Sequence, residues 1–522
     1  MTHKLISKTN MSDSEKSNRD LINELMEEPE DFVQPGIILN NKYVLLRCIG
    51  AGNNARVWIS YQFDEKRFVA VKVQYFECYD DGCREVVIVD KITKFYNKNP
   101  NSNFHSVTLL DNFILSVSND MKYVCSVYDL YAGSISMTLD SGIHKYGLPI
   151  KTVKNIARQL LSTLVVLHES LKVIHTDIKP ENILFKGISP DQQKIMDMFN
   201  KDDFDAKYQK LVDEFSNDKY RFEEELEILG VEAVQKIKTL NINVNENEDI
   251  IPDDSQEESS NDYLIEGEES EDYSDVDENY SDFDDEFDEE EPRRFNKRDQ
   301  SVDDVIEILD CTLLWDFDDP EDPEEIPDYD FNKILNNRNS TSDHSIVIDE
   351  KYIENCEIAL TDYGNSYFYV QRTRNEIQDR KYRAPEVILD ISYGFACDIW
   401  SSMCVIFELL TGFALFHPYD EPVNRDQQHL YLMEKNLGPM PKSMKKYSKR
   451  APFLFDKKRG YQIKNIVNIQ SYPLKDRLIE QFLFSEKDAS EISEFLLLGL
   501  AYKPLKRYTA RQLLSHKWLA DN

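Results

Sequence analysis

The segment VIHTDIKPENILF, Val173 to Phe185, places three charged side chains and an asparagine between two apolar flanks. Asp177 could accept the proton of a hydroxyl group, Lys179 could neutralise a transferring phosphoryl group, and Asn182 could bind Mg²⁺. Phosphoryl transfer requires positioned charges more than covalent chemistry, so this density of polar groups on a short loop is typical of it. The string is too specific to arise by chance, and it therefore decides the interpretation of the chain.

Two further motifs follow this loop in the order that the same chemistry needs. ALTDYGN offers Asp362 as a second Mg²⁺ ligand, with Gly364 supplying backbone freedom after it. This motif has weight because 22 residues separate Asp362 from Pro385 and Glu386 of YRAPEV. Later, Arg507 of PLKRYTARQLLSHKW is placed to pair with Glu386, and such a buried ion pair would be structural.

A glycine-containing turn, Gly50-Ala51-Gly52, follows the first predicted strand, and Val57 opens the second. Glycines at this point would let the backbone approach phosphate groups closely. The signal is weak by itself, because such a turn is more often a simple hairpin and Ala55 stands where a third glycine is usual. The sequence contains no GxxxxGK[ST] string, which disfavours a Walker-type nucleotide-binding fold.

Lys72 lies in the apolar run VAVKV, where an unpaired charge would be costly. Glu85, thirteen residues later on a predicted helix, is the candidate partner. A lysine paired in this way could contact the phosphates of a nucleotide. Two alternatives stay open: Lys72 as a solvent-facing residue of an edge strand, and Glu85 as an ordinary surface residue.

From Lys42 onward the sequence resembles a protein kinase, and specifically the SR-protein kinases of the CMGC group. The resemblance rests on Thr176 in HTDIKPEN, on DYGN and IQDRKYR, and on the runs DIWSSMCVIFELLTGFALF and NRDQQHLYLMEKNLG. It implies an α+β, bilobal eukaryotic protein kinase fold with a β-rich small lobe, a helical large lobe and a long acidic insertion. It also implies an ATP- and Mg²⁺-dependent serine/threonine protein kinase that transfers the γ-phosphoryl group of ATP to a protein hydroxyl.

The resemblance also assigns the site residues. Tyr128 would be the gatekeeper, and residues 129–131 would be the hinge that binds adenine. The catalytic residues would be Asp177, Lys179 and Lys72, and the Mg²⁺ ligands would be Asn182 and Asp362. The residues expected to contact ATP are Gly50, Ala51, Gly52, Val57, Ala70, Lys72, Glu85, Asp129 and Tyr131.

Thr176 stands where most kinases have an arginine that binds a phosphate on the activation loop. The resemblance therefore implies constitutive activity, through a short loop that folds without phosphorylation. Asp398 is implied to hold the backbone of the catalytic loop, and Arg383 to shape the pocket for the residue after the phosphorylated one.

Two departures from the family bear on catalysis and substrate. Asp379 stands where the family has a threonine that bridges the catalytic aspartate and lysine. The carboxylate could hold Lys179 and slow the enzyme, could select a basic residue on the substrate, or could simply be solvated. The family's acidic docking groove is diluted here by Gln427, Gln428 and Lys435, so Arg/Ser-rich protein substrates are expected but not assured.

The net charge of −36 is concentrated in one part of the chain. Residues 191–350 hold 54 acidic and 14 basic residues, and 20 of the 40 residues across 251–290 are acidic. We therefore expect a flexible leader (1–38), a small lobe (39–132), a large lobe in two parts (133–190 and 351–522) and a largely disordered insertion (191–350). The insertion could bind a basic partner, and direct nucleic-acid binding is not expected.

The remaining features indicate an intracellular protein, cytoplasmic or nuclear, that acts as a monomer. Its eight cysteines form no CxxC pair, and the N-terminus lacks an apolar signal region. The apolar run from Ile399 to Phe416 is short for a membrane span and contains Glu408, so it predicts a buried helix. The alternative function is a pseudokinase scaffold that acts through the acidic insertion.

Overall fold

The computed structural model describes residues 33–117, 121–140, 144–215, 217–238, 240, 350–369, 377–418, 424–466 and 468–520. These residues form a small lobe built on one antiparallel sheet and a large lobe that is mainly helical. The chain passes from the first lobe to the second at residues 129–131. This is the bilobal α+β fold that the sequence predicts.

Six antiparallel strands form the small-lobe sheet, in the spatial order β1-β2-β3-β4-β6-β5. The strands are β1 (Ile38–Leu39), β2 (Tyr43–Ala51), β3 (Ala55–Gln62), β4 (Arg67–Gln74), β5 (Leu109–Ser116) and β6 (Lys122–Tyr128). Their β-branched and aromatic residues suit a pleated, buried surface. Lys72 pairs with Val57 of β3 and with Ser126 of β6, so it lies on an inner strand and not on an edge.

Helix α1 (Tyr79–Lys98) packs against β5 and β6. Its buried face carries Ile88, Val89 and Ile92, but also Glu85. A carboxylate within an apolar face requires a partner, and the alternative of Glu85 as a surface residue is therefore excluded.

The remaining elements are short strands and helices that follow the first lobe. The strands are β7 (Tyr131–Ser134), β8 (Val173–Ile174), β9 (Ile183–Lys186), β10 (Ile358–Leu360), β11 (Tyr367–Phe368), β12 (Phe455–Asp456) and β13 (Gln462–Ile463). The helices are α2 (Ile135–Asp140), α3 (Ile150–Val165), α4 (Pro190–Asn200), α5 (Phe204–Phe215), α6 (Lys219–Lys238), α7 (Glu350–Glu354), α8 (Pro385–Ile388), α9 (Ala396–Thr411), α10 (Arg425–Leu437), α11 (Lys442–Tyr447), α12 (Ala451–Leu454), α13 (Leu474–Glu480), α14 (Glu486–Gly499) and α15 (Ala510–Leu514).

Helix α9 confirms the predicted buried helix, because almost its whole length lies in the large-lobe core. It ends at Gly412, which has a φ of 80°. A Cβ atom at this position would lie 1.9 Å from the carbonyl oxygen of Lys145, so only glycine fits. Among the described residues, no helix has both the length and the apolar character that a membrane span requires.

Two small ladders hold the catalytic loop between them. Strand β8 precedes the loop and pairs with β11, whereas β9 follows the loop and pairs with β10. Because Leu360 pairs with Ile183, the segment that carries Asp362 lies beside the end of the catalytic loop. Two segments more than 170 residues apart in sequence are thus adjacent in the fold.

Residues 191–238 are weakly helical and highly charged in sequence, and they form helices α4, α5 and α6. The expectation of a largely disordered insertion therefore does not hold over these residues. A capping box formed by Ser189 and Gln192 begins α4, and this sequence signal was overlooked. The helices bury their apolar stripes against the small-lobe sheet, which stabilises them despite their high charge. The shared cluster contains Val44, Leu46, Ile59, Tyr61, Phe63, Ile195, Phe199, Phe204, Leu226, Leu229, Ala233, Val234 and Ile237. The acidic run 251–290 lies outside the described residues.

The predicted leader is also too long, because residues 33–38 belong to the folded lobe. Val33 is buried, and the backbone N–H of Gly36 donates to the carbonyl of Leu45 at 2.7 Å. A Cβ atom on Gly230 of α6 would lie 2.3 Å from the carbonyl oxygen of Gly36. Two glycines therefore permit the close crossing of this segment and the insertion helix.

The ion pair between Arg507 and Glu386 is present and fully buried, as predicted. The guanidinium donates to the two carboxylate oxygens at 2.8 and 3.0 Å, and to the carbonyl oxygens of Ala396 and Ala501. Because every partner is satisfied, the pair can connect the segment after the activation loop to the C-terminal helices.

Replacing Arg507 by methionine should lower the free energy of unfolding by about 3–5 kcal/mol, since Glu386 would be left as an uncompensated buried charge. The matched control is Arg511→Met, because Arg511 pairs with Glu169 at a site where both side chains are exposed, 65% and 44%. That control should lose much less stability, because solvent and salt screen an exposed ion pair. Urea unfolding of both variants measures the difference, and equal losses would contradict the prediction.

Candidate active site

Three predicted residues meet between the lobes around the amine of Lys72. Its Nζ lies 2.8 Å from both carboxylate oxygens of Glu85 and 3.0 Å from Oδ1 of Asp362. Burial alone would lower the pKa of Lys72, but the two carboxylates outweigh burial and raise it. In turn, Lys72 lowers the pKa of Asp362, so the ammonium and the carboxylate both stay charged at neutral pH.

The catalytic loop brings the other three predicted polar residues together. Nζ of Lys179 lies 3.2 Å from Oδ2 of Asp177, and Nδ2 of Asn182 donates to the Asp177 carbonyl at 2.8 Å and to Oδ2 at 3.2 Å. The short helical turn Pro180–Asn182 sets this spacing. Asn182 uses its amide nitrogen on Asp177, which leaves its amide oxygen as the atom suited to a hard cation.

Asp398 of helix α9 holds the backbone of this loop, as the resemblance implies. Its carboxylate accepts from the N–H of His175 at 2.8 Å and of Thr176 at 2.9 Å. Thr176 has a φ of 68°, an uncommon conformation for a β-branched residue, and these bonds fix it. The Thr176 hydroxyl donates to the carbonyl of Asn365 at 2.7 Å, which ties the catalytic loop to the DYGN motif.

A further contact of the DYGN motif was not foreseen from the sequence. The side chain of Tyr363 is completely buried, and its hydroxyl lies 2.6 Å from the hydroxyl of Ser106. The Tyr363 ring also packs edge-on against His175, with ring centroids 4.9 Å apart. These contacts fix the residue after Asp362 and therefore the direction of the Asp362 carboxylate. The tyrosine in place of an apolar residue was the available signal.

Three of the predicted nucleotide contacts, Val57, Ala70 and Lys72, lie on one face of the small-lobe sheet. Ala70 and Lys72 are two residues apart on β4, so their side chains lie on the same face of the sheet. Val57 pairs with Lys72 and therefore shares this face. Gly50 pairs with Val57 in the turn, and a Cβ atom on Gly52 would meet no other atom within 4 Å. The backbone at this turn is therefore open to a close approach by phosphate.

The hinge residues follow β6 directly. The side chain of Asp129 is exposed, so the backbone of this residue is the group that could make the predicted contact with adenine. The carbonyl oxygen of Tyr131 accepts a hydrogen bond from Nε2 of Gln192, at 2.8 Å. A residue of insertion helix α4 therefore contacts the hinge backbone, and the sequence provided no signal for this contact.

The chemistry of this constellation fits Mg²⁺ and ATP. The carboxylate of Asp362 and the amide oxygen of Asn182 are oxygen ligands of the kind that Mg²⁺ prefers. Lys72 offers a fixed positive charge, and the open glycine turn faces the same cleft side of the sheet. The residues present are therefore those that a nucleoside triphosphate and its metal ion require.

The geometry around Asp379 does not support the hypothesis that this residue captures Lys179. The Asp379 carboxylate is exposed and accepts the backbone N–H of Lys381 at 3.1 Å, as a cap of the turn Arg380–Tyr382. Lys179 instead pairs with Asp177. Burial opposes the charge of Lys179, whereas the carboxylates of Asp177 and then Asp379 raise its pKa. Asp379 thus acts at longer range, which favours the solvated arrangement.

Replacing Asp379 by threonine should therefore change kcat by less than about threefold, because an exposed carboxylate is screened by solvent and salt. Steady-state rates at two ionic strengths measure this effect. A tenfold increase in kcat would revive the hypothesis that Asp379 sequesters Lys179. A changed preference for basic residues near the phosphorylated position would support the second interpretation, substrate selection.

The segment before Pro385 is held by Gln378, which was not singled out in the sequence. Its carbonyl accepts from the guanidinium of Arg383 at 3.0 and 3.2 Å, and its side-chain oxygen accepts from the N–H of Ala384. Arg383 therefore supports the backbone of this segment.

In the expected docking region, Gln427 and Gln428 are buried in helix α10, and the amide nitrogen of Gln427 donates to the carbonyl of Phe453.

Comparison with known proteins agrees with the fold and the site. The protein kinase domain family matches residues 43–209 and 343–519, on both sides of the acidic run. The chain belongs to the protein kinase family, and it is a serine/threonine protein kinase.

Its relatives define the branch of that family. The chain is 46% identical to the protein assigned as serine/threonine-protein kinase L205 of Acanthamoeba polyphaga mimivirus, over 95% of this chain and 91% of that protein. It is 29% identical to protein kinase dsk1 of Schizosaccharomyces pombe, over 92% and 81% respectively. It is 26% identical to SRSF protein kinase 3 of Mus musculus, over 95% and 91%. The predicted resemblance to SR-protein kinases is confirmed, and the pseudokinase alternative has no support.

Proposed function

We propose that this kinase transfers the γ-phosphoryl group of ATP to a serine or threonine hydroxyl of a protein, with Mg²⁺ as cofactor. The observation that carries the proposal is the contact of Lys72 with both Glu85 and Asp362. This contact aligns the two lobes and directs a positive charge and a metal-binding carboxylate into one cleft.

In this proposal, each polar residue of the cleft has one role. Asp177 accepts the proton of the substrate hydroxyl, and Lys179 neutralises charge on the phosphoryl group as it moves. Lys72, held by Glu85, binds the phosphates of ATP that remain with the nucleotide. Asn182 and Asp362 hold Mg²⁺, which when bound neutralises charge on the phosphate oxygens.

The base of the nucleotide binds at the hinge. Val57 and Ala70 supply an apolar face for adenine, and the backbone of Asp129 and Tyr131 supplies hydrogen bonds. The glycine turn at Gly50, Ala51 and Gly52 lies over the phosphates, where the absence of side chains on the two glycines permits a close approach. Tyr128, which is 8% exposed, closes the back of the cleft as the gatekeeper.

The proposal is tested with the full-length protein, radiolabelled Mg·ATP and an array of serine- and threonine-containing peptides. We expect labelling of hydroxyl residues that depends on Mg²⁺ and is lost on chelation. A protein that is stabilised by Mg·ATP but labels neither peptides nor itself would be a scaffold, and would overturn the proposal.

We further propose that the substrate is an Arg/Ser-rich protein segment. The name of SRSF protein kinase 3 supports this substrate class. The buried Gln427 and Gln428 reduce the negative charge expected along the docking surface, so the preference for arginine should reside near the cleft. Peptides with Arg-Ser, Lys-Ser and Glu-Ser repeats of equal length distinguish these cases, and equal rates on all three would reject this substrate class.

Activity without activation-loop phosphorylation is also proposed. The hydroxyl of Thr176 bonds to Asn365 within the same motif region, where an arginine would otherwise require a phosphate partner. Protein treated with a phosphatase should keep its rate of phosphoryl transfer.

The seven cysteines within the described residues are free thiols, which favours a reducing compartment, the cytoplasm or nucleus. A basic partner of the acidic insertion remains a proposal about residues outside those described.

A further inference from the structure

The carboxylate of Glu85 has a hydrogen-bond donor besides Lys72. Nε2 of Gln74 lies 2.6 Å from Oε2 of Glu85. Both side chains are almost completely buried, with 3% of Gln74 and 2% of Glu85 exposed. Gln74 follows Lys72 by two residues on β4, so the two side chains lie on the same face of the strand and reach the same carboxylate.

Burying an amide at this position is unfavourable unless both of its ends are satisfied. The amide oxygen of Gln74, Oε1, has no hydrogen-bond partner. Gln74 pairs with Ala55 of β3, and an apolar side chain would fill the same volume without this penalty. A half-satisfied buried amide in a native protein requires an explanation, and its bond to Glu85 provides one.

Helix α1 is adapted to the glutamine by a glycine. Gly82 precedes Glu85 by three residues, nearly one turn of the helix, and therefore lies on the same side. A Cβ atom on Gly82 would lie 2.6 Å from Oε1 of Gln74 and 2.9 Å from Cβ of Val124. Glycine is disfavoured inside a helix relative to alanine, so its presence here fits the need for space around the glutamine side chain.

We propose that Gln74 is a positioning residue, which holds the Glu85 carboxylate, and with it helix α1, in the orientation that directs Lys72 toward the ATP phosphates. This role deepens the proposed function and rests on it. The carboxylate is then fixed from two sides, by an ammonium and by an amide. The lysine cannot turn the glutamate away without breaking a second hydrogen bond, so the bound arrangement exists before ATP arrives.

The test variant is Gln74→Met in the full-length protein, because methionine has nearly the same shape and cannot donate. We expect the Kd of Mg·ATP, measured by calorimetry, and the KM for ATP to rise about five- to tenfold, as for loss of one ordinary hydrogen bond. The KM for the protein substrate should not change. The melting temperature without nucleotide should change little, because the bond to Glu85 is lost while an unsatisfied amide oxygen is removed.

A double-mutant cycle with Gly82 separates positioning from packing. Gly82→Ala alone should displace Gln74 and weaken Mg·ATP binding by a similar factor. In a Gln74→Val background, Gly82→Ala should cause a smaller further loss, because the close contact with Gln74 is gone and only the one with Val124 remains. The control is Val87→Ala on the same helix, since Val87 is 58% exposed and faces away from the cleft. This control should bind Mg·ATP with unchanged affinity.

Different results would overturn the positioning role of Gln74 and the proposed function. Unchanged Mg·ATP affinity and KM in Gln74→Met, or a fall in melting temperature with no change in either constant, would overturn the positioning role. A wild-type protein that binds Mg·ATP but transfers no phosphate would overturn the proposed function alone, because the binding measurements on the Gln74 and Gly82 variants would still decide the role of the glutamine.

Discussion

Replacing Asp177 by alanine should lower kcat by at least about a thousandfold, the range expected for removal of a general base that also orients its substrate. The Kd of Mg·ATP should change by less than about threefold, because no predicted nucleotide contact is made by the base. The carboxylate is held by Asn182 and Lys179 within 3.2 Å, so its position is defined before substrate binds. Single-turnover phosphotransfer and nucleotide calorimetry on the same preparation measure both quantities.

Two control variants test whether the loss of turnover is specific to the carboxylate of Asp177. Asp177→Asn keeps the volume and the contact distance of the side chain, yet it should be almost as inactive as the alanine variant, because an amide cannot accept the proton. Asp476→Ala removes an exposed aspartate of the large lobe and should retain the wild-type rate. Normal turnover in Asp177→Ala would exclude Asp177 as the base.

Replacing Asp362 by asparagine should remove the dependence of ATP affinity on Mg²⁺ and lower kcat/KM for ATP by at least about a hundredfold. Lys72 would lose one of its two carboxylate partners, and the cleft would lose its charged metal ligand. In the wild type we expect ATP to bind more tightly with Mg²⁺ than with a chelator. In the variant, the two Kd values should coincide.

Asp177→Ala is the matched control for this second prediction, since it should lose turnover but keep the Mg²⁺ dependence of ATP binding. The two aspartates are therefore distinguished by binding alone, without a rate measurement. If Asp362→Asn still binds ATP more tightly in Mg²⁺ by the wild-type factor, then the metal site lies elsewhere in the cleft.

The candidate active site is held by contacts that join distant parts of the chain. Lys72 and Asp362 are 290 residues apart, Ser106 and Tyr363 are 257 apart, and Thr176 and Asn365 are 189 apart. Each of these contacts is a buried or partly buried hydrogen bond that needs no added phosphate. This geometry is consistent with a kinase that reaches its active form by folding.

Much of the candidate site could be predicted because its motifs are local. In HTDIKPEN, the spacing of Asp177, Lys179 and Asn182 along one loop already determines which side chains can meet. The order of the glycine turn, the strand lysine, this loop and the DYG motif then determined the fold and the class of protein. The buried Arg507–Glu386 pair was also predictable, since both motifs have fixed places in that order.

Only the tertiary structure decided what depends on packing between segments that are remote in sequence. Residues 191–238 are highly charged and only weakly helical in sequence, yet helices α4 to α6 are stable because their apolar stripes are buried by β2 and β3 of the small lobe. Composition reports the average polarity of a segment, whereas folding depends on one face and on the surface that covers it. For the same reason the site contacts of Gln74, Ser106 and Gln192 could not be predicted from the sequence: their hydrogen bonds to Glu85, Tyr363 and Tyr131 join partners that only the fold brings within reach.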